Sequence, residues 1–125
     1  MISKFAVVGI AGAAGAISRY WLSGLVERAF SFGIPLGTFA VNVAGSFLFG
    51  LVWAAGVERM VLSVELRLAI LTGFLGSFTT FSSFIFETNQ LAGQGAWYLG
   101  AVNLVLQIGL GLVAYRVGVA AGGLV

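Results

Sequence analysis

The sequence predicts an all-α integral membrane protein with four membrane-spanning helices. Three observations carry this reading. Of the 125 residues, 60% are hydrophobic and 8% are charged, where soluble domains carry roughly 25% charged residues. Mean hydropathy is +1.09. Apolar stretches recur four times, and at about 20 residues per crossing the length accommodates four spans and leaves no room for a separate soluble domain. The spans are expected at about 2–26, 36–57, 66–91 and 96–119, forming a single domain over 1–125.

The first span carries Gly9, Gly12 and Gly15 with Ala13 and Ala16 beside them, a smooth face on which another helix packs closely. Lys4 precedes this run, but the run outlasts a signal peptide and includes Arg19, so it reads as a span. Two readings fit Arg19. It either snorkels to the interface beside Tyr20 and Trp21, or stands at an aqueous vestibule and attracts anions. Pro35 suits the first turn of the second helix. In that helix Thr38, Asn42 and Ser46 are four apart and form one polar line. The carboxamide of Asn42 is a neutral two-proton donor that needs partners in hydrocarbon. An interhelical hydrogen bond satisfies that need as well as a site does.

Ser63 is a candidate start for the third helix. Inside this helix Gly73–Phe84 reads Gly-Phe-Leu-Gly-Ser-Phe-Thr-Thr-Phe-Ser-Ser-Phe. Gly73 and Gly76 are poor helix formers, and Thr79 and Thr80 are β-branched. Phe74, Phe78, Phe81 and Phe84 alternate with hydroxyls that include Ser82 and Ser83. This composition fits a covered mid-membrane break, where transport proteins place ion sites, or a close-packed helix contact. Glu87 roughly follows the Phe81–Phe84 face, towards a pore mouth or interfacial water. In the fourth helix Asn103 and Gln107 are again four apart. The glycine-rich tail from Gly118 to Val125 is expected to be poorly ordered.

Cysteine, histidine and aspartate are absent. Disulfides, thiol or imidazole catalysis and the usual transition-metal sites are therefore excluded. No general base remains beyond four glutamates, which argues against an enzyme. Net charge is +2, too small and scattered for a nucleic-acid partner. Lys4, Arg59, Arg67 and Arg116 fall on one side of the membrane, against Arg28 and Arg19 towards the other. The bias towards a cytoplasmic N-terminus is mild, and insertion in both orientations is compatible with it.

Three neutral polar lines in apolar helices are expected to face one another and form a narrow path. A proton-coupled transporter needs an intramembrane carboxylate or histidine, and none lies near mid-membrane. A small multidrug-type exporter needs an acid in the first helix, where this chain has Arg19. A water channel and a non-transport scaffold remain as alternatives. A small anion fits better, because the path offers amide and hydroxyl donors and the positive rims of phenylalanine rings.

Gly37–Phe47 and Gly73–Phe84 resemble the two signature stretches of the Fluc, or CrcB-like, fluoride channel family. Gly15 to Arg19 and the four-span layout fit as well. The resemblance implies a passive channel that exports cytoplasmic fluoride, built as an antiparallel, dual-topology homodimer in the bacterial inner membrane. Each dimer holds two fluoride pores lined by both chains. Phe81 and Phe84 match the paired phenylalanines whose edges meet fluoride, and Asn42 and Thr38 match pore residues. Gly76 and Thr79 match the positions whose backbone carbonyls bind a central structural sodium ion. Arg19 matches the vestibule arginine and Glu87 the acid beyond the phenylalanines. Ser46, Ser82, Ser83, Asn103 and Gln107 complete the expected polar lining. Many members have tyrosine and serine where this chain has Asn103 and Gln107, and others have amides.

Overall fold

A computed structural model describes residues 2–125, and its described residues are entirely helical or irregular, with no strand. Four stretches are long and apolar enough to cross a membrane. The first is α1 (Ile2–Ala29). The second is α2 (Leu36–Glu58), whose last six residues, Trp53–Glu58, are π-wound. The third stretch, Val64–Gly93, comprises α3 (residues 64–78) and α4 (Phe81–Gly93). The fourth is α5 (Trp97–Leu124). Ser63 caps α3, accepting the Leu66 N–H at 3.3 Å. Residues Leu68–Leu75 of α3 are π-wound, which widens the helix ahead of the phenylalanine–hydroxyl stretch.

The core lies where α2 crosses α3. Val41 is fully buried there against Leu75 and Phe78, with Leu48, Ile70 and Phe74 around them. The Phe74 and Phe78 rings stack at 5.8 Å. Large apolar side chains elsewhere face outward, among them Ile10, Trp21, Val105 and Val113. In hydrocarbon this outward apolar surface has no tendency to collapse, and close backbone packing takes over as the cohesive force.

Glycine makes that close packing possible between α2 and α5. A Cβ on Gly50 would fall on the Tyr115 carbonyl oxygen, and a Cβ on Gly118 on that of Phe47. This contact corrects the expectation of a disordered tail. The helix runs to Leu124, Gly118 and Gly122 are buried, and Arg59 Nη2 donates to the Gly123 carbonyl at 2.6 Å. The glycines that suggested flexibility are the ones that let the two backbones touch. Arg59 also shows that the α2–α3 turn and the end of α5 share one side, and Lys4 lies with Glu65 on a small cavity there.

Gly118→Ala is expected to lose about 1–3 kcal/mol, because the new methyl group meets a backbone carbonyl that cannot rotate away. A methyl group on Gly9 would meet nothing within 4 Å, so Gly9→Ala is expected to leave the melting temperature unchanged. Thermal unfolding of both variants in detergent checks the contrast.

Candidate functional site

Between α3 and α4 the backbone is extended for two residues, Thr79 (φ −84°, ψ 158°) and Thr80 (φ −148°, ψ 111°). Thr80 is buried, so its polar backbone groups need partners. Asn42 of α2 supplies both. Its Oδ1 accepts the Thr80 N–H at 2.8 Å, and its Nδ2 donates to the Thr80 carbonyl at 3.0 Å. A carboxamide offers a donor and an acceptor side by side, matching the C=O and N–H of one extended residue. The Thr80 hydroxyl then caps α4, accepting the Ser83 N–H at 3.2 Å and donating to Ser83 Oγ at 2.9 Å.

The same Asn42 Nδ2 also donates to Gln107 Oε1 of α5 at 2.8 Å. Gln107 Nε2 donates to Asn103 Oδ1 at 3.1 Å, and Asn103 Nδ2 donates to Thr88 Oγ1 at 2.9 Å. Asn103 and Gln107 are both buried. The polar residues of α2, the extended step and α5 thus meet in one network.

Three cavities surround this junction. An apolar groove of about 480 Å³ is lined by Asn42, Ser46, Thr79, Thr80, Phe84 and Gln107, with Phe81 and Tyr115 on its wall. The Phe81 and Phe84 rings meet edge to face, 5.7 Å apart at 67°. Phe84 is buried, while Phe81 is 73% exposed. A second cavity of about 210 Å³ holds Arg19 together with Ser23, Thr38, Thr80 and Ser83. Thr80 lines both spaces, and Asn42, which lines the groove, is bonded to it. A third cavity of about 290 Å³ carries Glu27 and Glu87 with Phe30, Phe32, Gln90 and Gln94. Thr38 connects the last two, since its hydroxyl donates to Glu87 Oε1 at 2.6 Å. Glu87 Oε2 is buried and has no hydrogen-bond partner among the described residues. Glu27 Oε1 takes the Gly37 N–H at 2.8 Å, satisfying a first-turn donor of α2.

Most residues singled out in the sequence converge here. Thr38, Asn42, Ser46, Thr79, Phe81, Phe84, Ser83, Arg19, Glu87 and Gln107 line one of the three cavities, and Asn103 lies behind Gln107. Ser82 and Gly76 are exposed and line none of them. Ser46 turns its proton inward to the Asn42 carbonyl at 2.7 Å. Three participants escaped the sequence reading: Thr80 as the residue whose backbone Asn42 holds, Thr88 as the end of the amide chain, and Glu27 as a cap. Threonine is an N-cap residue type, so a helix start after Thr80 was readable, but its contact with Asn42 was not. Thr88 and Glu27 have no such local signature.

The chain matches the family described as "CrcB-like protein, Camphor Resistance (CrcB)" over residues 6–119. It belongs to the CrcB-like family. Among its relatives is a protein of Solidesulfovibrio magneticus named fluoride-specific ion channel FluC, 49% identical over 125 residues and covering all of both chains. A protein of Nitrosococcus oceani with the same name is 47% identical over 118 residues, covering 94% of each chain. One from Nitratidesulfovibrio vulgaris is 45% identical over 124 residues, covering 99% of this chain and 100% of its own.

Asn42→Leu would leave the Thr80 N–H and C=O buried and unpaired, at about 1–3 kcal/mol for each group. The variant is expected to melt several degrees below the parent. Ser46→Ala removes a hydroxyl bonded only within its own helix and should melt within a degree or two of it. Parallel thermal melts in detergent make the comparison.

Proposed function

We propose that this chain is a passive, fluoride-selective channel of the bacterial inner membrane, exporting fluoride and lowering its toxicity, and that it is not an enzyme. The observation that carries the reading is the Asn42–Thr80 junction. It is a polar, uncharged junction between a cavity holding Arg19 and a groove walled by Phe81 and Phe84. The names of the full-length CrcB-like relatives supply the ion.

The mechanism follows from donor chemistry. Fluoride is small and strongly hydrated, so a path through hydrocarbon must replace its water with short, directed donors. Arg19 raises the local anion concentration in its cavity without standing inside the junction. The hydroxyl of Ser83 opens on the same space. Both amide protons of Asn42 already lie on protein acceptors, so fluoride taken up there displaces the Thr80 carbonyl or Gln107 Oε1 as acceptor. The ion then runs along the positive rims of Phe81 and Phe84. No fixed positive charge holds it in the groove, which keeps passage fast and leaves larger, softer anions without compensation for lost water.

The working unit in this proposal is an antiparallel dual-topology homodimer with two pores. Phe81 projects from the single chain, and the groove behind it is open and apolar. A second copy covers both. The extended step, read as a mid-membrane break, also supports a structural sodium ion on the dimer axis. In a continuous helix the Gly76 carbonyl would accept the Thr80 N–H and the Thr79 carbonyl the Ser83 N–H. Those N–H groups bond instead to Asn42 Oδ1 and Thr80 Oγ1. The two carbonyls are thereby released from helix bonding, and a hard cation takes oxygen ligands, backbone carbonyls among them. Gly76 is exposed and accessible to a partner. The other partner is membrane lipid around the apolar exterior.

Fluoride efflux from proteoliposomes, followed with an electrode, tests the path. Phe81→Ile and Phe84→Ile should each lower the rate at least tenfold, and undiminished flux in both would remove the ring-edge role. Exhaustive exchange of sodium for a bulky organic cation should weaken the dimer or the flux. Unchanged association and flux would exclude a structural ion.

A further inference from the structure

Thr88 lies on α4 outside the path just described, and its hydroxyl donates to the Phe84 carbonyl at 2.7 Å. A threonine hydroxyl has one proton, so towards Asn103 Thr88 acts only as an acceptor. That fixes the direction of everything beyond it. Asn103 must present Nδ2 to Thr88 and Oδ1 to Gln107. Gln107 must then present Nε2 to Asn103 and Oε1 to Asn42. Asn42 must present Nδ2 to Gln107, which leaves Oδ1 for the Thr80 N–H. The Thr80 backbone demands the same orientation from its own side. The two requirements agree, and the chain of bonds closes without a like-to-like contact.

We infer that Thr88 is a positioning residue for the pore: through Asn103 and Gln107 it sets the orientation of the Asn42 carboxamide and so holds the start of α4, where Phe81 and Phe84 sit. The relay begins at the Phe84 carbonyl and ends on the Thr80 backbone, bracketing the first turn of α4 by way of α5 and α2. Without the Thr88 acceptor, Asn103 and Gln107 are free to reverse. A reversed Gln107 turns its NH2 on the NH2 of Asn42, and Asn42 leaves one or both of its bonds to Thr80. Asn103 and Gln107 then act chiefly as supports of the junction. This inference rests on the proposed path through Asn42.

The test uses the full chain in proteoliposomes, with fluoride efflux normalised to incorporated protein. Thr88→Val keeps the side-chain shape and removes the hydroxyl. It is expected to slow efflux at least fivefold, while Thr88→Ser stays within twofold of the parent. Gln107→Leu severs the relay midway, and adding Thr88→Val to it should slow efflux no further. Efflux by Thr88→Val within twofold of the parent would overturn the inference, as would equal impairment by Thr88→Ser or independent, multiplied losses in the double variant. If Thr88→Val does not fold, Thr88→Ala takes its place with the same expectations. A parent chain that passes no fluoride contradicts the channel reading instead. The relay is then judged from the melting temperatures of the parent, Thr88→Val, Gln107→Leu and the double variant, where non-additive losses support it and additive losses refute it.

Discussion

The structure depends on one exchange of hydrogen bonds, between the carboxamide of Asn42 and the backbone of Thr80. Extended backbone inside a membrane is tolerated only where every polar group is covered, because each uncovered one costs several kcal/mol. Asn42 covers both backbone polar groups of one residue, Thr80, from a neighbouring helix. With that settled, the third span can pass through two extended residues and restart at Phe81 under a Thr80 cap. The π-wound turns before it and the glycine-mediated contact of α2 with α5 are then understandable as means of bringing α2 and α5 close enough to hold the step.

The step also separates two environments. On one side stands a cavity with Arg19 and hydroxyls; on the other, an apolar groove edged by phenylalanines. An anion path needs both, since charge gathers the ion and neutral donors let it leave. Thr80 lines both cavities while its hydroxyl is engaged in capping α4. Most hydroxyls along the path are similarly occupied, donating to Glu87, to the Asn42 carbonyl or to the Leu75 carbonyl. Conduction on this account proceeds by exchange of internal hydrogen bonds, which are nearly balanced in energy, and not by filling empty donors.

Much of this was legible in the sequence because hydrocarbon makes polar residues informative. The four spans follow from hydropathy, and the polar lines of α2 and α5 follow from their four-residue spacing. The meeting of Asn42 with Gln107 follows from the need of each for a partner. The relay from Thr88 was not legible, because a threonine near the end of an apolar helix usually bonds its own helix, as Thr88 also does. The ordered tail was missed for a related reason. Glycine signals mobility in water and close packing in lipid, and Gly118 and Gly122 do the second against Phe47 and Leu51. Glu27 as the cap of α2 required knowing that the loop of residues 30–35 folds back on itself.

The most direct measurement is anion efflux from liposomes holding the purified chain, with a fluoride electrode and a chloride electrode run side by side. The account predicts rapid, saturating fluoride release with chloride release close to that of protein-free liposomes. Equal release of the two ions, or none of either, would contradict it.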